Sequence, residues 1–309
     1  MILVYGTVCV DRVRRVTHLP KLGGYVSVLS EELRLGGEAA NTAFALKTWG
    51  ADFKLIGNHS SRRNDSVEWD QLWRLLDEAE LSSFCPDVSQ PGSSTVPICD
   101  IYITPGGQRT MFGLGFDHLA EGMAFDRADL DGVDWFTIDM NFGKLGQQTV
   151  KDVSQTETQI YLLDFVNEDD PIPANSVWQS STDWVGKTGD MATNMKVVAS
   201  VSHAHDVRSI VTDGENGTVS SKPGEPVSFV APYPSSPIVD STGAGDTFRA
   251  AMLFQMSTGA NFERSIEWAS VAASLKCRFP GAAKTQPSRE EIDGCLANFD
   301  RNRAKIGSE

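Results

Sequence analysis

The sequence lacks the features that mark several common protein classes. It contains no C-x-x-C pair, and its cysteines are scattered: Cys9, Cys85, Cys99, Cys277 and Cys295. It has no cluster of five or more basic residues, and its net charge is −14. Scattered thiols predict a reduced, cytoplasmic protein. An acidic chain without basic clusters predicts neither a nucleic-acid partner nor a membrane partner.

Two further signals are missing near the first apolar segment, Met1 to Val10. No G-x-G-x-x-G follows it, which argues against a Rossmann dinucleotide site. The segment is too short to span a bilayer, lacks a basic region and a cleavage site, and is followed by Asp11. It therefore predicts a first β-strand and not a signal peptide. The 309 residues, 40% of them hydrophobic, suffice for a large core.

What the sequence does contain is a glycine-rich turn, Asp-Ser-Thr-Gly-Ala-Gly-Asp-Thr-Phe, at residues 240–248. An extended run precedes it and a long apolar segment follows, which predicts strand, tight turn and buried helix. Gly243 and Gly245 let a ligand approach the backbone. The first amides of the helix, at residues 243–245, then form an anion site that suits phosphate. We call residues 240–246 the anion turn.

The last residue of the anion turn, Asp246, can take a proton from a hydroxyl group held beside the bound phosphate. An anion site and a base together are what phosphoryl transfer to an alcohol requires. The alternative is an ordinary glycine-rich turn in which Asp246 only begins the helix.

The nine residues 240–248 resemble the C-terminal signature of the PfkB (ribokinase-like) carbohydrate kinase family. Gly36-Gly37-Glu38-Ala39-Ala40-Asn41 resembles the N-terminal Gly-Gly motif of the same family, and the similarity in order and length runs from Met1 to about Phe299. The resemblance implies an α/β three-layer fold in which a mainly parallel central sheet is flanked by helices. It further implies a single domain over residues 1–309, with a small β-sheet lid from inserted segments at about 12–35 and 94–116.

The predicted elements agree with this fold. Alternating residues within 12–35 and a hairpin at 96–113 predict strands outside the main sheet. From Asp134 onward strands and helices alternate, which is typical of a parallel sheet. We predict strands at 135–140, 159–166, 183–186 and 206–212, and helices at 145–153, 174–180 and 191–203.

The resemblance also implies an activity, the ATP-dependent phosphorylation of a hydroxyl group on a sugar or sugar-like substrate. Asp246 would be the base, and the amides of Gly243, Ala244 and Gly245 would stabilise charge on the transferring group. The acceptor would be held by Asp11, Gly36, Gly37 and Asn41. Without the resemblance, Asp11 would be a loop residue and Gly36-Gly37 a turn before a core helix.

The nucleotide side is implied in the same way. Thr212, Gly214 and Gly217 would border the phosphates and ribose of ATP, and Mg²⁺ would bridge the phosphates. The family usually carries Asn-x-x-Glu after the strand near residue 185, whereas this chain has Lys187-Thr188-Gly189-Asp190. Lys187 could contact a phosphate and Asp190 the outer shell of the metal. Some members also hold a monovalent cation beside the segment of Asp240.

The sequence leaves three functions open. The first is a sugar kinase, the second a nucleoside or other small-alcohol kinase, and the third a weakly active family member that binds a ligand. Many relatives use the lid as a dimer surface, so a homodimer is an expectation too. Arg109, in the predicted hairpin, would be either a solvated side chain or a contact for an anionic acceptor.

Overall fold

The computed structural model describes residues 1–58, 66–86, 95–105, 109–120 and 125–306, with the backbone alone from residue 299. The predicted hairpin turn at 106–108 lies outside the described residues. None of the described helices combines the length and the apolar character needed to cross a membrane.

The main sheet has eight strands in the order β12-β11-β10-β9-β8-β7-β1-β4. Its strands are β1 (Ile2–Gly6), β4 (Phe53–Gly57), β7 (Trp135–Asp139), β8 (Gln159–Leu163), β9 (Val177–Ser181), β10 (Arg208–Thr212), β11 (Thr218–Ser221) and β12 (Ser228–Val230). The pairs from β4 to β10 are parallel, and β11 and β12 are added antiparallel. The predicted, mainly parallel sheet is therefore confirmed.

A second, four-stranded sheet stands apart, in the order β3-β2-β5-β6. Its strands are β2 (Cys9–Val16), β3 (Val28–Gly36), β5 (Ile98–Ile103) and β6 (Arg109–Leu114). The β2–β3 and β5–β6 pairs are antiparallel, and β2–β5 is parallel. The predicted small sheet outside the main one is confirmed; its function as a lid stays a prediction.

Helices cover both faces of the main sheet. They are α1 (Glu38–Thr48), α2 (Val67–Glu78), α3 (Gly143–Val153), α4 (Met191–His205), α5 (Ala244–Ser257), α6 (Phe262–Lys276) and α7 (Arg289–Ile306). Because strand side chains alternate between faces, Ile2 and Val4 pack into the core with α1, α5 and α6, while Leu3 and Tyr5 pack into the core with α3 and α4. These two cores define the three layers.

One pair of predicted elements is wrong. Residues 174–180 are not a helix, because Val177–Ser181 forms strand β9 between β8 and β10. Val177 and Trp178 are buried in opposite cores, which requires the two-residue period of a strand. Residues 183–186 are not a strand either: the amides of Trp184 and Val185 bond back to the Ser181 carbonyl as a turn. The loop that follows this strand therefore begins at residue 182.

Candidate active site

The anion turn opens directly into helix α5. Gly243 lies at the helix N-terminus with φ of 75°, and a Cβ there would lie 2.4 Å from the Cβ of Ala282. Glycine is therefore needed both for the backbone conformation and for the close packing. The Ala244 amide donates to the Ser241 carbonyl at 3.2 Å, so this amide already has a partner within the turn. The extended run before it, Pro237 to Val239, belongs to neither sheet, so the predicted strand there is wrong.

Asp246 follows in the first turn of α5 and joins the two sequence motifs. Its side chain is nearly buried, and its Oδ2 accepts a hydrogen bond of 2.8 Å from Nδ2 of Asn41, which lies 205 residues away in the chain. The hydroxyl of Thr42 also approaches the Asp246 carbonyl at 3.5 Å. The structure thus brings the residue predicted as base next to one predicted to hold the acceptor.

A buried arginine that sequence reasoning missed lies beside this carboxylate. Arg249 is fully buried, and its Nη2 lies 3.6 Å from Oδ1 of Asp246. Its Nε donates to Thr42 Oγ1 at 2.9 Å and its Nη2 to the Glu38 carbonyl at 2.6 Å. The guanidinium therefore ties α5 to α1 and places a positive charge behind the carboxylate. The signal for it was weak, since one arginine in an apolar helix could also face solvent.

Burial dominates the acid–base properties of the site. It raises the pKa of Asp246 to about 6, against the opposing effects of Arg249 and the Asn41 hydrogen bond. Burial likewise raises the pKa of Asp11 to about 6, opposed by the Cys9 thiol and by Arg34. Both carboxyl groups therefore titrate just below neutral pH, the range suited to a general base.

The glycines of the N-terminal motif permit a tight arrangement around Asp11. A Cβ on Gly36 would lie 2.2 Å from Oδ1 of Asp11, and one on Gly37, whose φ is 97°, would lie 2.3 Å from the Thr7 carbonyl oxygen. Nearby, Oδ1 of Asn41 is buried without a hydrogen-bond partner in the described part of the chain. A buried acceptor of this kind normally finds a partner, and a substrate hydroxyl would supply one.

Three further carboxylates surround Asp246, and sequence reasoning gave them no role: Glu38, Asp139 and Asp164. Asp139 accepts from the Thr7 amide at 2.7 Å and the Thr7 hydroxyl at 2.9 Å. Burial, and then the charges of Asp139 and Asp246, raise the pKa of Glu38 well above its usual range. Asp139 ends β7 and Asp164 follows β8, so both lie at the carboxyl edge of the sheet, where α/β folds bind ligands.

A cavity of about 570 Å³ opens on the other side of the anion turn. Among its walls are the predicted nucleotide residues Thr212, Gly214 and Gly217, together with Ala244 and Gly245. The rest of the wall is mainly apolar: Pro232, Tyr233, Pro234, Ile238, Phe248, Ala273 and Cys277. The hydroxyls of Ser235 and Ser270, also in this wall, are buried without a partner among the described residues.

Neither Lys187 nor Asp190 is among the residues that line this cavity. Asp190 is the N-cap of α4, where its side chain accepts from the amide and hydroxyl of Thr193 at 3.1 and 2.9 Å. Lys187 is exposed, and its amide donates to Asn194. Their expected positions depended on a strand at 183–186, which the fold does not contain.

Asp240 braces the start of the anion turn. Its Oδ1 accepts from the Thr242 amide at 2.9 Å and its Oδ2 from the Gly281 amide at 2.8 Å. Although burial opposes it, these bonds hold the pKa of Asp240 below its usual value. Arg109, in the small sheet, donates to the Thr242 hydroxyl and lies 4.0 Å from the Asp240 carboxylate. The small sheet therefore reaches the anion turn through this arginine.

Comparisons with known proteins agree with this geometry. The profile of the pfkB family carbohydrate kinases matches residues 181–289. An uncharacterized sugar kinase of Dictyostelium discoideum is 25% identical over 350 aligned residues, covering 98% of this chain and 99% of that protein. The ribokinase of Bacillus subtilis is 25% identical over 306 residues, covering 96% and 99%. The structure of Arabidopsis thaliana ribokinase with ribose and ATP superimposes with a TM-score of 0.76, at 21% identity and 96% and 98% coverage.

The structural similarity confirms the ribokinase-like fold. The profile match and the full-length relatives confirm the predicted enzyme class, a phosphotransferase with an alcohol group as acceptor. Residues 181–289 thus match the PfkB family of carbohydrate kinases, and nearly the whole chain is similar to a sugar kinase and a ribokinase.

Proposed function

We propose that the chain transfers the γ-phosphoryl group of ATP to a hydroxyl group of a neutral sugar or sugar-like polyol, with Asp246 as the general base. The observation that carries this proposal is the 2.8 Å hydrogen bond between Asn41 and Asp246. It joins the acceptor motif to the first turn of the helix that begins the phosphate site. One bound hydroxyl can then meet both the base and the phosphate.

The proposed chemistry needs one proton transfer and one phosphoryl transfer. The acceptor hydroxyl gives its proton to the Asp246 carboxylate as its oxygen bonds to the γ-phosphorus, and the bond from that phosphorus to the bridging oxygen breaks to release ADP. Burial raises the pKa of Asp246 to about 6, and the charge of Arg249 opposes this shift and favours the ionised form that the reaction needs. The amides of Gly243 and Gly245, with that of Ala244 if its bond to Ser241 opens, would stabilise charge on the transferring group.

The acceptor side favours a ligand rich in hydroxyl groups and free of negative charge. Asp11, Glu38 and Asp139 offer carboxyl oxygens there, and Asn41 offers its unpaired Oδ1. Hydroxyl groups donate hydrogen bonds to such oxygens, whereas a phosphate or carboxylate on the acceptor would be repelled. Because Gly36 and Gly37 have no side chains, their backbone groups can also approach the acceptor and hydrogen-bond to it.

The nucleotide side fits ATP. A cavity of about 570 Å³ with mainly apolar walls suits a base and a ribose. Thr212, Gly214 and Gly217 would border the ribose and phosphates, and the buried hydroxyls of Ser235 and Ser270 could receive hydrogen bonds from the nucleotide or donate to it. The ATP bound to the Arabidopsis ribokinase supports this assignment.

Mg²⁺ is the metal we propose to accompany ATP, and the donor set tests whether it fits. The described residues contain no group of three His, Cys, Asp or Glu side chains that could hold a metal ion. Asp164 is nevertheless buried near Asp246, with one oxygen bonded by the Ser180 hydroxyl at 2.7 Å. Carboxylate oxygens and waters suit Mg²⁺. We therefore assign its outer shell to Asp164 in place of Asp190.

The small sheet supports two parts of the proposal. Arg109 links it to the anion turn, as expected of a lid that is formed by segments at about 12–35 and 94–116 of a single domain. Its strands also expose apolar side chains: Val28, Leu29, Met111, Phe112 and Leu114. Because side chains alternate along a strand, Phe112 and Leu114 share one face of β6, and an exposed apolar pair of this kind suits a homodimer formed through the lid. The cysteines, all within the described residues, form no disulfide with one another, which supports a cytoplasmic setting.

The experiment is a panel of neutral sugars, polyols, nucleosides and sugar phosphates, incubated with Mg-ATP and assayed for ADP. We expect turnover with a neutral sugar or polyol and none with sugar phosphates. If only nucleosides were phosphorylated, the proposed acceptor, a neutral sugar or polyol, would be wrong, and the protein would be a nucleoside kinase. Absence of turnover with any acceptor would favour the third reading, which the missing Asn-x-x-Glu in residues 182–190 supports.

A further inference from the structure

Lys276, the last residue of α6, is fully buried and points its ammonium group at the anion turn. Its Nζ donates to the backbone carbonyl oxygen of Asp240 at 3.1 Å and to that of Thr242. Lysine is rarely buried to this extent unless its charge is matched. We therefore treat the contacts of Lys276 with these carbonyl oxygens as part of the structure of the anion turn.

The surroundings of the ammonium group resemble those of a bound cation. Carbonyl oxygens face it directly, and the carboxylate of Asp240 contributes a favourable field. Burial lowers the pKa of Lys276, while Asp240 and Asp246 oppose the shift. The charged form is thus held by carbonyl dipoles and carboxylates, as a monovalent cation would be.

Some members of the family hold a monovalent cation beside the segment of Asp240, and the residues present here test whether such an ion fits. It does not: the carbonyl oxygens of Asp240 and Thr242 are already directed at an ammonium group. An ammonium group and K⁺ are similar in size and equal in charge, so the two would compete for one place. We propose that Lys276 is a covalently attached substitute for the monovalent cation, so that the anion turn of this kinase is organised without K⁺.

In place of the cation, the Lys276 ammonium group would act by holding the backbone of the anion turn in position. Lys276 fixes the carbonyls on either side of Ser241, and Asp240 fixes the Thr242 and Gly281 amides. Together they set the direction in which the turn enters α5. The ammonium charge also favours ionisation of Asp246 from across the turn. Lys276 is thus a positioning residue, whose effect reaches the substrates through the anion turn and Asp246.

The first test needs no variant and no substrate. The thermal midpoint of the wild-type protein is measured in KCl and in choline chloride at equal ionic strength, and we expect the two values to agree. A ligand that binds only the folded state raises the midpoint. A clear increase in K⁺ over choline would show that a cation site is open, and it would overturn the proposal.

The second test uses Lys276→Met, which keeps the aliphatic chain and removes the charge. We expect its midpoint to rise with K⁺, and its kcat/KM to fall about tenfold or more in choline, since hydrogen bonds to charged groups are individually strong. K⁺ or NH4⁺ should restore part of the activity. The matched control is Lys151→Met, at an exposed lysine of α3, which should show neither effect.

The activity arm rests on the proposed kinase function, and the thermal arm does not. If no acceptor is phosphorylated in any salt, the function fails while the K⁺ response of the midpoint still decides the role of Lys276. If Lys276→Met does not fold, the wild-type titration decides alone. A folded Lys276→Met protein that no monovalent cation stabilises or rescues would reduce Lys276 to a structural residue and refute the proposal.

Discussion

The two sides of Asp246 differ in chemistry. On the acceptor side lie carboxyl and amide groups, among them Asp11, Asp139 and Asn41, most of them buried and hydrogen-bonded. On the proposed nucleotide side lies a cavity of about 570 Å³ with mainly apolar walls, in which Phe248 and Ala273 take part. If the proposed assignment of the two sides holds, the acceptor is selected by directed hydrogen bonds and the nucleotide by shape and apolar contact.

This difference also indicates how strictly each ligand is selected. A site built to hydrogen-bond hydroxyl groups discriminates strongly, because an unmatched ligand leaves buried polar groups without partners. Apolar walls discriminate by size and little else. We therefore expect narrow acceptor specificity and a broader tolerance for the nucleotide base.

The largest expected effect comes from the residue that both sides share. Asp246→Asn should lower kcat by about 10²–10⁴-fold, the usual contribution of a general base. The fold should persist, because asparagine has the same shape and can still contact Asn41. Steady-state kinetics and a thermal melt measure the two outcomes. Asp70→Asn, on the exposed face of α2, is the control; equal rates for the two variants would remove the base from Asp246.

The pH dependence of kcat/KM should follow the ionisation of Asp246. Since the base must be ionised and the pKa of Asp246 is about 6, kcat/KM should fall about tenfold for each pH unit below that value and level off above it. Asn41→Ala should move the midpoint upward, because the Asn41 hydrogen bond lowers this pKa. A pH–rate profile measures both. A profile flat down to pH 5 in the wild type would contradict the assignment.

A substitution on each side should separate the two binding sites. Asp11→Asn removes a charged hydrogen-bond acceptor and should raise the KM for the acceptor by about tenfold, with the KM for ATP unchanged. Ala273→Phe fills part of the apolar cavity and should raise the KM for ATP by about tenfold, with the KM for the acceptor unchanged. If either variant changed both constants equally, the two sides would not be independent.

The smallest effect on catalysis is expected at the small sheet. Phe112 is 58% exposed on β6, and Phe112→Asp should lower the dimer fraction seen by analytical ultracentrifugation while kcat changes little. Val67→Asp places the same charge on another exposed apolar residue, in α2, 77% exposed. Val67→Asp is the control and should leave the dimer fraction unchanged. If Phe112→Asp also left it unchanged, or if the wild type were a monomer, the proposed dimer through the lid would be wrong.

Much of the fold was predictable because its signals are local. The strand predicted at 135–140 is Trp135–Asp139, and the predicted start of α4 at Met191 was correct. The error at 174–186 arose where a short apolar run, Val177-Trp178, can suit a helix or a strand. Pairing with β8 and β10 decided for the strand, and no local pattern shows that pairing.

The candidate site, like the fold, contains some residues that local sequence predicts and others that it does not. The glycines at 36, 37 and 243 could be located from sequence, because each has a local motif around it. Arg249 and Lys276 could not, since each looks like an ordinary helix residue until its partners are known. Glu38 lies inside the Gly-Gly motif, but only the structure shows Asp139 and Asp246 beside it.

The sequence by itself determined the anion turn, the Gly-Gly motif and the alternation of strands and helices, because backbone conformation and hydrophobic period depend on neighbours in the chain. Only the tertiary structure decided that Asn41 would bond Asp246, that Arg249 would lie behind this carboxylate, and that Lys276 would face the carbonyls of Asp240 and Thr242. Asn41 and Asp246 lie far apart in sequence, and Lys276 lies more than 30 residues from Asp240 and Thr242. Arg249 is only three residues from Asp246, but its burial depends on its distant partners in α1, Thr42 and the Glu38 carbonyl. The energies of these contacts depend on burial and distance, which exist only once the layers have packed.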